Sequence, residues 1–225
     1  MKRNPPKAAP VAMGLRAQNK LDKLQRIKAA AKDLFTELGF DAATTRAIAR
    51  RARVGLGTLF NYADDKRDLV FLIFIEELDR ITDRAFGRVD PHRHLLDQLI
   101  DAFALFYREF GANPTLSRIL LRELTFYSHG RLAADFQSSR ERTVGFIERL
   151  VANAQREQRV RGDVDAGFIA LSIFFVYAGA VRWWIADDKP GAKAGIAELK
   201  KLLQLHITGL APAASRAAGA KRKTR

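Results

Sequence analysis

The sequence predicts an all-α fold: an N-terminal three-helix unit followed by a larger helical domain. Three observations carry this reading. Apolar residues recur at steps of three and four across most of residues 21–210, and no useful stretch alternates with the period of a strand. Glycine, Asn-Pro and hydroxyl residues fall where such helices would stop or start. At 225 residues the chain has room for one small domain and one larger one, each with its own core.

Leu24, Ile27, Ala31, Leu34, Phe35 and Leu38 place one apolar face on a first helix over residues 21–39, and Gly39 is positioned to end it. Thr44 and Thr45 then offer capping hydroxyls to a short helix, residues 45–52, with Ala47, Ile48 and Ala52 inward and Arg46, Arg50 and Arg51 elsewhere. Arg53-Val54-Gly55 reads as a turn. A third short helix, residues 56–62, turns Leu59 inward with Phe60 beside it.

The later helices are longer. Residues 66–86 contain the unbroken apolar run Leu69 to Ile75, which implies burial on several sides. Residues 93–110 carry a broad stripe of Leu96, Leu99, Ile100, Phe103, Phe106, Tyr107 and Phe110. Asn113-Pro114 supplies a cap and a first-turn proline for a helix reaching Tyr127. Helices over 131–158, 165–186 and 193–210 complete the set. Phe168 to Val181 is free of charge for fourteen residues. A bilayer span needs roughly 20 apolar residues, and Ser172, Gly179 and Arg182 favour protein contacts. That helix is expected to pack on its own core and on a second subunit, with no membrane involved.

The net charge of +14 is unevenly placed. Residues 67–210 are nearly balanced, whereas the excess of Lys and Arg lies in residues 1–18, 19–66 and 211–225. A basic end on a neutral body suits a polyanion-binding module joined to a separate domain. The expected division is a disordered basic arm (1–18), a polyanion-binding module (19–66), a separate helical domain (67–210) and a disordered basic tail (211–225).

Catalysis finds little support. With no cysteine, thiolate nucleophiles and thiolate metal sites are impossible. Among the histidines His92, His94, His129 and His206, only the first two are close, and their i,i+2 spacing parts them on a helix. No G-x-S-x-G motif is present. No catalytic residue, metal or cofactor is therefore expected. Two alternatives stand beside a DNA-binding regulator: an all-α enzyme with a helix-turn-helix-like segment, and a membrane-associated helical protein using basic tails on anionic lipid.

VGLGTLFNY, Val54 to Tyr62, discriminates between these classes. A dinucleotide fingerprint would need a glycine where Phe60 stands and a strand before it, and a Walker loop would need G-K-[ST]. A helix-turn-helix needs a short support helix, a tight glycine-containing turn and a recognition helix for the major groove. Gly57 allows close approach to DNA, Thr58 and Asn61 can hydrogen-bond to bases or phosphate, and Tyr62 can donate to phosphate or stack. Lys66 adds charge just beyond.

The run FDAATTRAIARRARVGLGTLFNYADDKRDL resembles the DNA-binding signature of the TetR family of bacterial transcriptional regulators. The first helix and LHITGLAP near the end are similar to that family as well. The resemblance implies that Thr44, Thr45 and Arg46 grip phosphates. Leu56, Gly57, Thr58, Phe60, Asn61 and Tyr62 would form the recognition helix, and Lys66 would anchor the DNA backbone. Ile48, Val54 and Leu59 would be core. It further implies a cytoplasmic homodimer built on the last two helices, a double-stranded, palindrome-like DNA operator, and a small-molecule effector. Phe103, Phe106, Tyr107, Phe126, Phe174, Phe175 and Tyr177 are the candidate effector lining, which points to an apolar or aromatic molecule. Three positions depart from the family pattern. Arg53 replaces the turn glycine and must go left-handed or change the turn. Phe60 replaces a phosphate-binding tyrosine, and Ala63 replaces a bulky aromatic, leaving room for Leu69 or Val70.

Overall fold

The computed structural model describes residues 14–127 and 129–209, and these contain nine α-helices and no strand. The expected arm (up to residue 13) and the expected tail lie outside the described residues. The helices are α1 (Leu15–Ala42), α2 (Thr45–Arg51), α3 (Leu56–Phe60), α4 (Lys66–Phe86), α5 (Leu95–Ala112), α6 (Pro114–Glu123), α7 (Ala133–Arg156), α8 (Ala166–Ile185) and α9 (Ala192–Gly209). A 3-10 turn, Leu124–Phe126, extends α6.

α1 starts earlier than expected. Leu15 to Gln18, assigned above to a disordered arm, are already helical, in a segment of good helix formers whose side chains are exposed. Gly39 adopts φ 78° and breaks α1 where a stop was expected, before one last turn to Ala42. Side-chain caps explain several other starts. Thr44 accepts the Ala47 amide at 3.1 Å, Asn113 that of Leu116 at 3.2 Å, and Asp165 that of Phe168 at 2.9 Å.

α1, α2 and α3 close over Ile27, Leu34, Phe35, Ile48 and Leu59, all essentially without solvent exposure. Val54 is half-buried and packs against this core. Ala63, Leu69 and Val70 are fully buried just beyond α3, so the small side chain at position 63 opens no path to solvent. Phe60, in contrast, is exposed: it lies on the outer face of α3.

The second domain packs α4–α9 around an aromatic core. Phe103 stacks on Tyr177 with centroids 4.1 Å apart, and Phe86 stacks on Phe146 at 5.0 Å. α8 packs against α7 and α9 and buries Ile169, Ala170, Ile173, Tyr177, Val181, Trp184 and Ile185, with Tyr177 and Trp184 reaching the α5 aromatics. Its opposite face leaves Phe168, Phe175 and Trp183 at 67%, 62% and 85% exposure, and Leu205 of α9 is 76% exposed.

Candidate DNA-binding surface and effector cavity

The turn between α2 and α3 is held from outside the motif. Arg53 has φ 54°, the left-handed conformation expected if the turn is kept without its glycine. Such a conformation costs a residue bearing a Cβ about 1–2 kcal/mol. Arg26 on α1 compensates by donating Nη1 to the carbonyls of Ala52 (3.1 Å) and Arg53 (3.3 Å). The Val54 amide meanwhile returns to the Ala49 carbonyl at 3.0 Å. Arg26 was invisible to motif reading because it acts across about seven helical turns of chain from the turn it braces.

The support and recognition helices present a mostly cationic outer face. Arg46, Arg50 and Arg53 are exposed and, among the described residues, carry no ion pair. Arg51 is instead bound to Glu37 at 2.6 Å, and this hydrogen bond holds the Glu37 carboxyl below its ordinary value. Thr44 and Arg46 are exposed at the start of α2, and Thr45 is half-buried.

On α3, Leu56 and Thr58 are half-buried while Gly57, Phe60 and Asn61 are exposed. A methyl group placed on Gly57 would meet nothing within 4 Å. Packing therefore gives no reason for glycine there. What its bareness offers is an unobstructed outer surface.

Two of the expected DNA ligands are engaged within the protein. The Tyr62 hydroxyl donates to the Lys20 carbonyl at 3.1 Å. Lys66 donates to the Asp41 carbonyl at 3.1 Å and sits 4.4 Å from the centre of the Phe40 ring. Tyr62 keeps its lone pairs and Lys66 two further N–H groups, so each can brace the domain and still meet an anion.

The junction with the second domain is a polar knot around Asp68, which is fully buried on α4. Its carboxylate accepts from the Asp64 amide at 2.8 Å, the Arg131 amide at 3.3 Å and the Tyr127 hydroxyl. Burial, followed by this hydrogen bond to Asp68, pushes the Tyr127 hydroxyl far above its ordinary value. Gly130 completes the knot with φ 132°; a Cβ there would lie 2.7 Å from both Asp68 Oδ1 and the Tyr127 hydroxyl. The Arg131 guanidinium then reaches back to the first domain. It donates to the Asn61 carbonyl, at the C-terminal end of the recognition helix, and to Asp64 Oδ1 at 2.7 Å. Neither Arg131 nor Asp68 carried a sequence signal, because their partners are distant in the chain.

A cavity of about 510 Å³ opens between α4, α5, α6, α7 and α8. Phe106, Phe174, Phe175 and Tyr177 line it, as do Leu124, Thr125, Phe136 and Gln137 on either side of the junction segment. Phe103 and Tyr107 do not. Both are fully buried, Phe103 behind Tyr177 and Tyr107 against Trp184 at 4.6 Å. Phe126 closes the 3-10 turn, and its side chain lies outside the described part of the structure. The lining also holds two arginines, Arg140 and Arg182, that the aromatic pattern did not single out. Among the described residues no group of histidine, aspartate and glutamate is arranged to hold a metal ion.

Residues 27–73 match the family model for bacterial regulatory proteins of the tetR family. The HTH-type transcriptional regulator UidR of Escherichia coli strain K12 is 23% identical over 164 residues, covering 72% of this chain and 82% of that protein. The HTH-type transcriptional repressor KstR of Rhodococcus jostii is 30% identical over 105 residues, or 47% of this chain and 49% of that protein. In fold, the chain is similar to Thermus thermophilus FadR, a transcriptional repressor solved in complex with lauroyl-CoA. The TM-score is 0.63 at 22% identity, covering 81% of this chain and 92% of that one. It is also similar to Bacillus subtilis FadR in complex with stearoyl-CoA, with a TM-score of 0.66 at 18% identity over 82% and 98% of the two chains.

Proposed function

We propose that the chain is a helix-turn-helix transcriptional regulator of the TetR family, a cytoplasmic homodimeric repressor released from its operator by a small apolar-bodied effector. α3 enters the major groove, with Gly57 against the groove floor and Thr58 and Asn61 facing base edges. Thr44, Thr45 and Arg46 hold phosphates, with Tyr62 and Lys66 at the flank. The exposed stripe of Phe168, Phe175 and Trp183 on α8, continued by Leu205 on α9, supports an interface with a second copy that sets the half-site spacing. The effector occupies the aromatic cavity. Its size and lining suit an acyl chain, the kind of group that two structurally similar regulators hold.

The observation that carries this reading is the segment from Leu124 to Gln137. It walls the cavity at Leu124, Thr125, Phe136 and Gln137, and its Arg131 holds the end of the recognition helix at Asn61. A ligand that shifts this wall moves the anchor of α3, which is the differential contact an effector needs to change DNA affinity.

The test is an anisotropy titration of the duplex upstream of the protein's own gene against a scrambled duplex, in rising salt. Tight, steeply salt-dependent binding to the first and much weaker binding to the second are expected. Equal, weak binding to both would refute the reading.

A further inference from the structure

The cavity is apolar except at one place. Ser139 donates its hydroxyl to Asp79 at 2.9 Å, Thr143 and Thr125 donate theirs to backbone carbonyls, and Gln137 donates to Glu141 at 2.8 Å. The three hydroxyls have already used their donors within the protein, and Gln137 one of its two. Arg140 of α7 and Arg182 of α8 have not. Among the described residues Arg140 makes no hydrogen bond or ion pair, and Arg182 makes one bond, Nη1 to the Ala178 carbonyl at 2.9 Å. Two residues along α7, Arg142 is held by Asp79 and Asp83, so acids are at hand on this side of the molecule but do not reach Arg140.

No aspartate or glutamate lines the cavity. Both arginines are half-buried and line the same cavity, Arg140 from α7 and Arg182 from α8, near enough for the charge of one to act on the other. Burial holds Arg182 below its ordinary value and the nearby charge of Arg140 lowers it further, while the Tyr177 hydroxyl acts in the opposite sense. An unpaired pair of like charges in an aromatic cavity is unfavourable in the empty protein. It becomes favourable once an anion lies between them, because an arginine fork binds carboxylate or phosphate oxygens with two parallel bonds.

We infer that Arg140 and Arg182 form an anion-holding subsite, so that the effector is an amphiphile with an apolar body among Phe106, Phe174 and Phe175 and an anionic oxygen group at the arginine pair. This rests on the cavity being the effector site. The anion can be the carboxylate of a free acid or a phosphate of a nucleotide-linked acyl ester, which share this chemistry.

Calorimetric titration of the full chain with dodecanoate, dodecanoyl-CoA and the neutral methyl dodecanoate separates the possibilities. Wild type is expected to prefer at least one anion over the ester by about tenfold or more, equivalent to about 1.4 kcal/mol. A preference for dodecanoate places a carboxylate at the pair, and a preference for dodecanoyl-CoA alone places a phosphate there. Arg140→Gln and Arg182→Gln should each erode that preference and the double variant should abolish it. Ester affinity should stay within about threefold, which also reports that the variants are folded, and Arg149→Gln outside the cavity should change nothing. An ester that binds wild type as tightly as both anions overturns the inference and leaves the cavity reading standing. So does an anion preference that survives in the double variant. Failure of all three to bind overturns both.

Discussion

The two domains use their glycines, arginines and aromatics in opposite ways. In the N-terminal three-helix domain the special residues are a cap at Thr44, a left-handed turn at Arg53 braced from α1 by Arg26, and a bare outer face at Gly57. In the α4–α9 domain the residues around the cavity are fixed by partners from other helices, and a large space is left between them. A small domain can spare little packing, whereas the larger one retains enough core at Phe103, Tyr107 and Leu120 to hold an open cavity. The lesson is that the N-terminal head is built tight and the α4–α9 domain keeps an open space.

The largest expected effect would break that contrast if it failed. Leu59→Ala, at a fully buried site, should cost roughly 3 kcal/mol and loosen the N-terminal head, measured by denaturant unfolding. Phe174→Ala, on a half-buried wall beside existing empty space, should cost only about 1 kcal/mol despite removing a larger side chain. Equal losses would show that the cavity wall is as tightly packed as the head.

Smaller effects sharpen the account of the turn and of α3. Arg53→Gly relieves the left-handed backbone at φ 54° but frees the unfolded chain, so thermal unfolding should show a net gain of about 0.5 kcal/mol. Gly57→Ala should raise stability by a few tenths of a kcal/mol, since its methyl meets open space, while weakening operator binding several-fold in the same anisotropy assay. Stability and binding moving in opposite directions is the signature of a glycine kept for its partner.

This contrast also decides what was legible in the sequence. Helix order was readable, as were the bounds set by Gly39, Thr44 and Asn113-Pro114, because these residues act locally, whereas the start of α1 at Leu15 carries no such signal. Arg53 was readable as a conflict between side chain and turn. The cavity lining was readable only by half. Phe103, Phe106, Tyr107 and Phe110 share one broad stripe of α5, and only packing against α8 decides that Phe106 meets the cavity while Phe103 and Tyr107 are buried behind it. Arg26, Arg131 and Arg140 stood out from nothing in the sequence, and Arg182 only as a charge favouring protein contacts in an apolar helix. Their importance lies in partners, or a lack of partners, that only the folded chain brings together.

The central claim is that the cavity controls the recognition helix through Arg131. It is tested most directly by titrating operator duplex with wild type and Arg131→Ala, each with and without saturating dodecanoyl-CoA. Wild type should lose about tenfold or more in operator affinity when the ligand is added. Arg131→Ala should bind operator within a few-fold of wild type but lose less than about threefold on ligand addition. An unchanged affinity in wild type, or the same loss in both proteins, would contradict the account.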